Sequence, residues 1–201
     1  MKITSIKQQI KNPERASIFV DGKYSFSLSL NELVAEKLKI NQDVDEPELK
    51  RLKKLSDDGK LKMRALEWVM SRPRSIREFK NYMYRKKADP DLTDKLILEF
   101  SEKNYLNESR FAEWLSDVRQ RRGKSDRAIA SELASKGIVR EIVDEIIKGD
   151  SEHDRLKLLV DKKSKIPRYK ADPQKLMQYL ARQGFKYDDI KLILASKNDI
   201  T

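Results

Sequence analysis

Two short stretches of this chain are dense in guanidinium and ammonium groups. Between Arg72 and Lys87 lie Arg72, Arg74, Arg77, Lys80, Arg85, Lys86 and Lys87, against the single acid Glu78. Between Arg119 and Arg127 lie Arg119, Arg121, Arg122, Lys124 and Arg127, against the single acid Asp126. Such groups pair with phosphate or carboxylate oxygens, arginine often through two parallel hydrogen bonds. Both clusters include the run into a serine that starts a helix, Ser75 or Ser125. Like charge at equivalent places predicts a basic stripe, with Arg72, Arg74, Arg77, Lys80, Arg121, Arg122, Lys124 and Arg127 as its contact residues. The competing reading is a solvated face with local salt bridges. Tyr82 and Tyr84 interleave with the first cluster, and aromatics so placed can stack on exposed bases. Both cannot share one apolar helix face, so packing is the preferred reading for at least one of them.

Other chemistry has little to stand on. His153 is the sole histidine, it lies in a polar stretch, and no serine motif of nucleophile-elbow type accompanies it. The six glycines are scattered, so no phosphate-binding loop is present. Carboxylates come as neighbours, as in Asp57-Asp58, Asp144-Glu145 and Asp188-Asp189. Neighbours on a helix do not face each other, whereas a hard-cation site needs several converging oxygens. The chain has no cysteine, which excludes disulfides, thiolate metal sites and cysteine nucleophiles. The expectation is a binding protein with no cofactor and no metal, not an enzyme.

The charge balance is 44 − 33 = +11, a field that favours a polyanion, nucleic acid first and an acidic protein surface second. Hydrophobic and charged residues each make up 38%, which fits a folded but elongated protein with much surface per unit of core. The start, Met1-Lys2-Ile3-Thr4, has no apolar h-region, and no apolar run reaches membrane-spanning length. A cytoplasmic monomer without membrane association is the expectation.

The elements that must carry the clusters are visible as a repeat. Aligning Ser125 to Ile147 with Asp172 to Leu194 without a gap puts Ile129 on Leu176, Leu133 on Leu180, Gly137 on Gly184, Val143 on Ile190 and Ile146 on Ile193. An earlier copy starts at Ser75 and matches Phe79 to Ile129 and Met83 to Leu133. A period just under fifty residues holds two or three helices. One such unit cannot bury its apolar face alone, so neighbours must stack. Units are expected at about 60–106, 107–150 and 151–201, after connecting helices at 31–59. Ser75 with Glu78 reads as a capping box, and Ser151 with Asp154 as a looser one. Asp89-Pro90 and Asp172-Pro173 read as N-caps followed by proline, and Gly137 and Gly184 as left-handed C-caps. Trp68 and Trp114 lie at helical spacing with apolar residues and read as packing anchors, Trp114 with Phe111 and Leu115.

The first thirty residues differ. Ile3 to Ile10 and Ala16 to Val20 are β-prone, Asn12-Pro13-Glu14 reads as a turn, and Asp21-Gly22 is a hairpin signal before Tyr24, Phe26 and Leu28. A small antiparallel sheet is expected, with an exposed edge that needs covering. Ser29 with Glu32 predicts a capping box for a helix whose face is Leu33, Val34 and Leu38. Asp45-Glu46-Pro47 opens another helix, continued by Leu49, Leu52 and Leu55, in which Gly59 is a weak point. The fold class is mainly α: tandem helical repeats in an elongated array, with a small N-terminal antiparallel β-sheet.

Three segments in order resemble one family. They are Ser71-Arg72-Pro73-Arg74-Ser75, then Asn104-Tyr105-Leu106-Asn107-Glu108-Ser109-Arg110-Phe111-Ala112, then Ile129 through Glu132-Leu133 to Lys136-Gly137-Ile138. Together they resemble RecX, the regulatory protein family of the bacterial RecA recombinase, with Asn107-Glu108 where an acid pair is common. The match is good over about 60–150 and looser beyond. The N-terminal strands and long helix resemble the extension of longer RecX proteins from Gram-positive bacteria. The resemblance implies tandem three-helix repeats in a curved molecule. It further implies a non-enzymatic modulator that binds the RecA filament, and single-stranded DNA directly or through it, and inhibits ATPase, strand exchange and filament growth. It leaves Ser75, Arg110, Phe111, Glu132 and Gly137 with mostly architectural roles. The rival is a stand-alone basic repeat protein that binds DNA or RNA without RecA.

Overall fold

The computed structural model describes residues 1–147 and 152–198. The described residues fall into two compact units. One is Met1–Ser71 with Met83–Leu98; the other is Arg72–Tyr82 with the residues from Glu99 onward. Helices α3 (Ile76–Arg85) and α4 (Pro90–Glu102) each contribute to both.

In the first unit β1 (Ile3–Gln8), β2 (Arg15–Val20) and β3 (Lys23–Ser29) form an antiparallel sheet in that order. Asp21 (φ 48°) and Gly22 (φ 79°) supply the two left-handed residues that a tight hairpin turn needs. The Asn12 carbonyl accepts the Arg15 amide at 3.0 Å, closing the first turn. Strand β1 stops short of its predicted end. The Gln9 amide donates to the Arg15 carbonyl at 2.9 Å, and Ile10 lies beyond that closure, fully exposed. One face of the sheet packs Ile3, Ile18, Phe26 and Leu28 with Leu38, Val44 and Leu52. The outer edge of β1 is covered at its start by the chain itself: Ile3 donates to Gln42 at 2.9 Å and Asn41 to Ile3 at 2.8 Å.

The predicted capping box is present. The Ser29 amide donates to Glu32 Oε2 at 2.7 Å, and Ser29 Oγ accepts the Glu32 amide at 3.2 Å. The helix it starts, α1 (Leu30–Ala35), is short, because Lys37 turns left-handed at φ 50°. Its predicted face therefore divides. Leu33 packs on the sheet core, Leu38 is buried from the following loop, and Val34 points to solvent. Helix α2 (Glu46–Met70) starts at Asp45, whose carboxylate accepts the Glu48 amide at 2.8 Å. It runs unbroken through Gly59. That glycine is buried, and a Cβ there would collide with the Glu32 carboxylate; the missing side chain makes room for the capping box of α1. Ser56 Oγ donates to the Ser27 carbonyl at 2.7 Å, fixing α2 on β3. The buried Arg15 guanidinium donates to the same carbonyl at 2.6 Å.

The second unit shows the repeat. Helices α5 (Glu108–Arg121), α6 (Asp126–Ser135) and α7 (Arg140–Ile146) enclose Phe111, Leu115, Ile129, Leu133, Ile138 and Val143. Helices α8 (Glu152–Ser164), α10 (Pro173–Arg182) and α11 (Tyr187–Asn198) enclose Leu156, Val160, Leu176, Leu180, Phe185 and Ile190, with the one-turn α9 (Pro167–Lys170) inserted. Ile129 and Leu176 thus occupy matching cores. Gly137 (φ 85°) and Gly184 (φ 101°) end the matching helices in the left-handed conformation. In the first copy Lys87 takes that conformation at φ 56°. The looser capping box placed at Ser151 lies outside the described residues.

The equivalent helices of the repeat, α10 to α6 and α6 to α3, meet end to start through a recurring joint. A Cβ on Gly184 would overlap Ser125 Oγ and lie 2.7 Å from Ala128 Cβ, so the end of α10 sits against the start of α6. The Ser125 amide donates to the Gln183 carbonyl at 3.0 Å, the Asp126 amide donates to Glu152 Oε1 at 2.7 Å, and Arg155 pairs with Asp126. The end of α6 meets the start of α3 in the same way. A Cβ on Gly137 would lie 3.2 Å from Arg77 Cβ, and Lys136 Nζ donates to Glu78 Oε1 at 3.0 Å. The Glu108 carboxylate accepts the Ile76 amide, as Glu152 accepts that of Asp126. At the start of α10 the corresponding residue is Pro173, which has no N–H to offer.

This joint predicts an acid sensitivity. Burial alone would raise the pKa of Glu78, but hydrogen bonds and charge from Arg72 and Lys136 outweigh it and hold the carboxyl below its ordinary value of 4.5. A carboxyl depressed in the folded state stabilises the fold above its unfolded pKa and loses that contribution as pH falls through the folded value. Glu78→Gln is therefore expected to lower stability near neutrality, with the gap to the parent closing below about pH 4. Denaturant unfolding at a series of pH values measures it; a gap that does not change with pH would show that the pair is inert.

Candidate basic interface

Ser75 and Ser125, the landmarks of the two clusters, are fully buried N-caps. Each Oγ accepts an amide from the first helical turn at 3.1 Å, from Glu78 and Ala128 respectively. The cations around them have different fates. Arg72 is held in place: Nη1 donates to the Pro73 carbonyl at 2.7 Å and lies 3.0 Å from Glu78 Oε2, and the guanidinium sits 4.8 Å over the Trp114 ring. Trp114 in turn packs on Phe111 at 5.9 Å, so this arginine is part of the packing. Arg74 is half-buried, and burial together with neighbouring Arg72 lowers its pKa from the usual arginine value. Arg77, Lys80 and Arg127 are exposed on their helices, with the stem of Arg77 against Gly137. Tyr84 is exposed and Tyr82 half-buried.

In the second cluster Arg119 is committed to Glu132 through bonds of 2.6 and 2.5 Å, which raise the arginine pKa and lower that of the glutamate. Arg121 and Arg122 are exposed at the end of α5, Arg121 only 3.9 Å from Asp117, and Lys124 is half-buried beyond Gly123. Arg121 and Arg122 line a groove of about 300 Å³ together with Leu158, Lys162, Lys163 and Tyr179. Arg77, Lys80 and Arg127 lie outside it. Sequence reading missed Lys162 and Lys163, although the run Asp161-Lys162-Lys163-Ser164-Lys165 carried a signal. The remaining expected architectural residues have visible work: Arg110 donates to the Asn104 carbonyl at 2.9 Å and Phe111 is fully buried.

A second concavity, in the first unit, holds charges of both signs. Lys54 pairs with Asp89 at 2.9 Å and Lys60 with Asp57 at 3.0 Å, so much of its charge is internally neutralised. Among the described residues no three potential metal ligands of the His, Cys, Asp or Glu type converge, and no helix is long and apolar enough to cross a membrane.

Three-helix modules joined through paired glutamates and left-handed glycines, with a small antiparallel sheet at the N-terminus, define a mainly α-helical tandem-repeat protein. Residues 1–45 match the regulatory protein RecX N-terminal domain, and residues 107–147 match the second three-helix domain of RecX. Regulatory protein RecX of Listeria monocytogenes (serovar 1/2a) is 30% identical over 192 residues, covering 92% of this chain and 71% of that protein. That of Bacillus subtilis is 30% identical over 195 residues, covering 94% and 74%. That of Listeria welshimeri is 32% identical over 157 residues, covering 78% of this chain but only 58% of the relative. A crystal structure of regulatory protein RecX superposes with a TM-score of 0.72 at 20% identity, covering 96% of this chain and 98% of that one. The RecX structure from Lactobacillus salivarius gives 0.59 at 22% identity over 72% and 98%. The chain belongs to the RecX family of regulatory proteins.

Proposed function

We propose that this chain is a cytoplasmic, non-enzymatic regulator that binds the RecA recombinase filament and lowers its ATP hydrolysis, strand exchange and growth during DNA repair and recombination. The observation that carries this reading is the pair of basic clusters at equivalent serine-capped helix starts, in a chain of this family. The filament offers the matching chemistry in its DNA phosphates and acidic protein surface. Weak contacts from several modules add through effective concentration, since each bound module raises the local concentration of the next. Inhibition follows if the protein binds one filament state more tightly than another. Arg77, Lys80, Arg121, Arg122, Lys124 and Arg127 are assigned the contacts. Arg72 and Arg74 are assigned the positioning of the first cluster.

Co-sedimentation with RecA filaments on single-stranded DNA tests the assignment. Replacing Arg121, Arg122 and Lys124 by glutamate is expected to weaken filament binding by about tenfold or more, because three attractive pairs become repulsive. The circular dichroism spectrum should remain helical, since these side chains lie outside the apolar cores. Undiminished binding would remove this cluster from the interface. Equal binding of the parent to naked single-stranded DNA and to the filament would favour a DNA-binding protein that acts without RecA.

A further inference from the structure

The groove beside the end of α5 has a composition that the basic-stripe reading does not use. Its rim is cationic, with Arg121 and Arg122 on one side and Lys162 and Lys163 on the other, and no carboxylate lines it. Arg155, at its base, is neutralised by Asp126. Arg122 and Lys162 form no ion pair among the described residues. The floor is aliphatic: Leu158 is 69% exposed, with Leu159 beside it packed under Gly123. The open leucine thus lies among cations of which Arg122 and Lys162 carry no ion pair among the described residues, so it offers apolar surface beside uncompensated positive charge.

The single aromatic in the groove, Tyr179, is already engaged. Lys163 Nζ lies 5.2 Å over its ring, and Tyr169 packs against it at 5.6 Å. A nucleobase would therefore meet aliphatic carbon in place of a free aromatic platform, which is a poor seat for stacking. An acidic peptide fits better. Its carboxylates would pair with the rim, and one large apolar side chain would lie over Leu158 within the groove of about 300 Å³, leaving room for the peptide backbone.

The geometry points to a docking site for an acidic peptide segment that carries one large apolar side chain, held by Arg121, Arg122, Lys162 and Lys163 around Leu158. This site shares Arg121 and Arg122 with the proposed filament contacts but recognises a peptide through its own chemistry, and the assay below contains no RecA, so its outcome is read separately from that reading. Charge supplies attraction and on-rate, and the buried apolar anchor supplies the discrimination between acidic sequences.

Fluorescence anisotropy of the full chain tests it, using a short labelled peptide of aspartates and glutamates around one central leucine. The controls are the same peptide with serine in place of leucine and a labelled oligothymidylate of similar charge. The leucine peptide is expected to bind about tenfold more tightly than the serine peptide, a difference abolished by Leu158→Ser. Arg122→Glu and Lys162→Glu are each expected to weaken it by about tenfold at low salt. Leu158, Arg122 and Lys162 are all exposed, so these variants should keep the parent's circular dichroism spectrum. Equal binding of the two peptides, no binding of either, or an oligothymidylate affinity that Leu158→Ser reduces, would overturn the proposal.

Discussion

Gly184→Ala is expected to destabilise the protein by roughly 2–4 kcal/mol, the sum of a left-handed backbone that disfavours a side chain and an overlap that must be relieved. The backbone at Gly184 has φ 101°, and a Cβ there would overlap Ser125 Oγ and lie 2.7 Å from Ala128 Cβ. Neither neighbour can yield cheaply. Ser125 is fully buried and caps α6, and its amide is tied to the Gln183 carbonyl at 3.0 Å. Gly22→Ala separates the two causes. Gly22 has φ 79° with nothing within 4 Å, so only the backbone penalty applies, about 1 kcal/mol. Chemical denaturation of both variants measures the difference. A loss at Gly184 no larger than at Gly22 would mean that the end of α10 does not press on the start of α6.

Leu133→Asp is expected to melt the module formed by α5, α6 and α7. Leu133 has no exposed surface and sits among Phe111, Leu115, Ile129 and Val143. Truncating such a side chain costs about 2–5 kcal/mol, and burying an unpaired carboxylate adds several more. The nearby cations are already engaged, Arg119 with Glu132 and Lys136 with Glu78. Ala134→Asp places the same charge on the exposed face of the next residue and is expected to cost only about 1 kcal/mol, from lower helix propensity and a negative charge near the helix end. Loss of helical circular dichroism in the first variant and its retention in the second is the expected pair of results. Similar spectra for both would mean that the buried face of α6 is assigned wrongly.

The features legible in the sequence are those set by chemistry within a few residues or by periodicity. Asp21-Gly22 needs only its own backbone to make the hairpin, Ser29 reaches Glu32 within one turn, and Asp45 and Asp172 cap their own helices. The alignment of Ile129 with Leu176 was readable because the same core is built twice. What escaped depends on distant partners. Gly59 looked like a weakness because nothing nearby in sequence shows that the Glu32 carboxylate passes over it. Val34 matched a helical face that the left turn at Lys37 cuts short. Arg72 counted as a contact cation, yet it is spent on Glu78 and Trp114. Lys162 and Lys163 join Arg121 and Arg122 only because α8 lies beside the end of α5. Charge counts locate cations; folding decides which of them remain free.

The most direct test of the regulatory role is RecA-catalysed ATP hydrolysis on single-stranded DNA with this protein titrated in. Hydrolysis falling while this protein is still far below the RecA concentration is the expected result, because one molecule then acts on many filament subunits. Hydrolysis that is unaffected would contradict it. So would a fall that begins only when there is enough protein to coat the DNA and that fades steeply with added salt, since this is the behaviour of a simple competitor for phosphates.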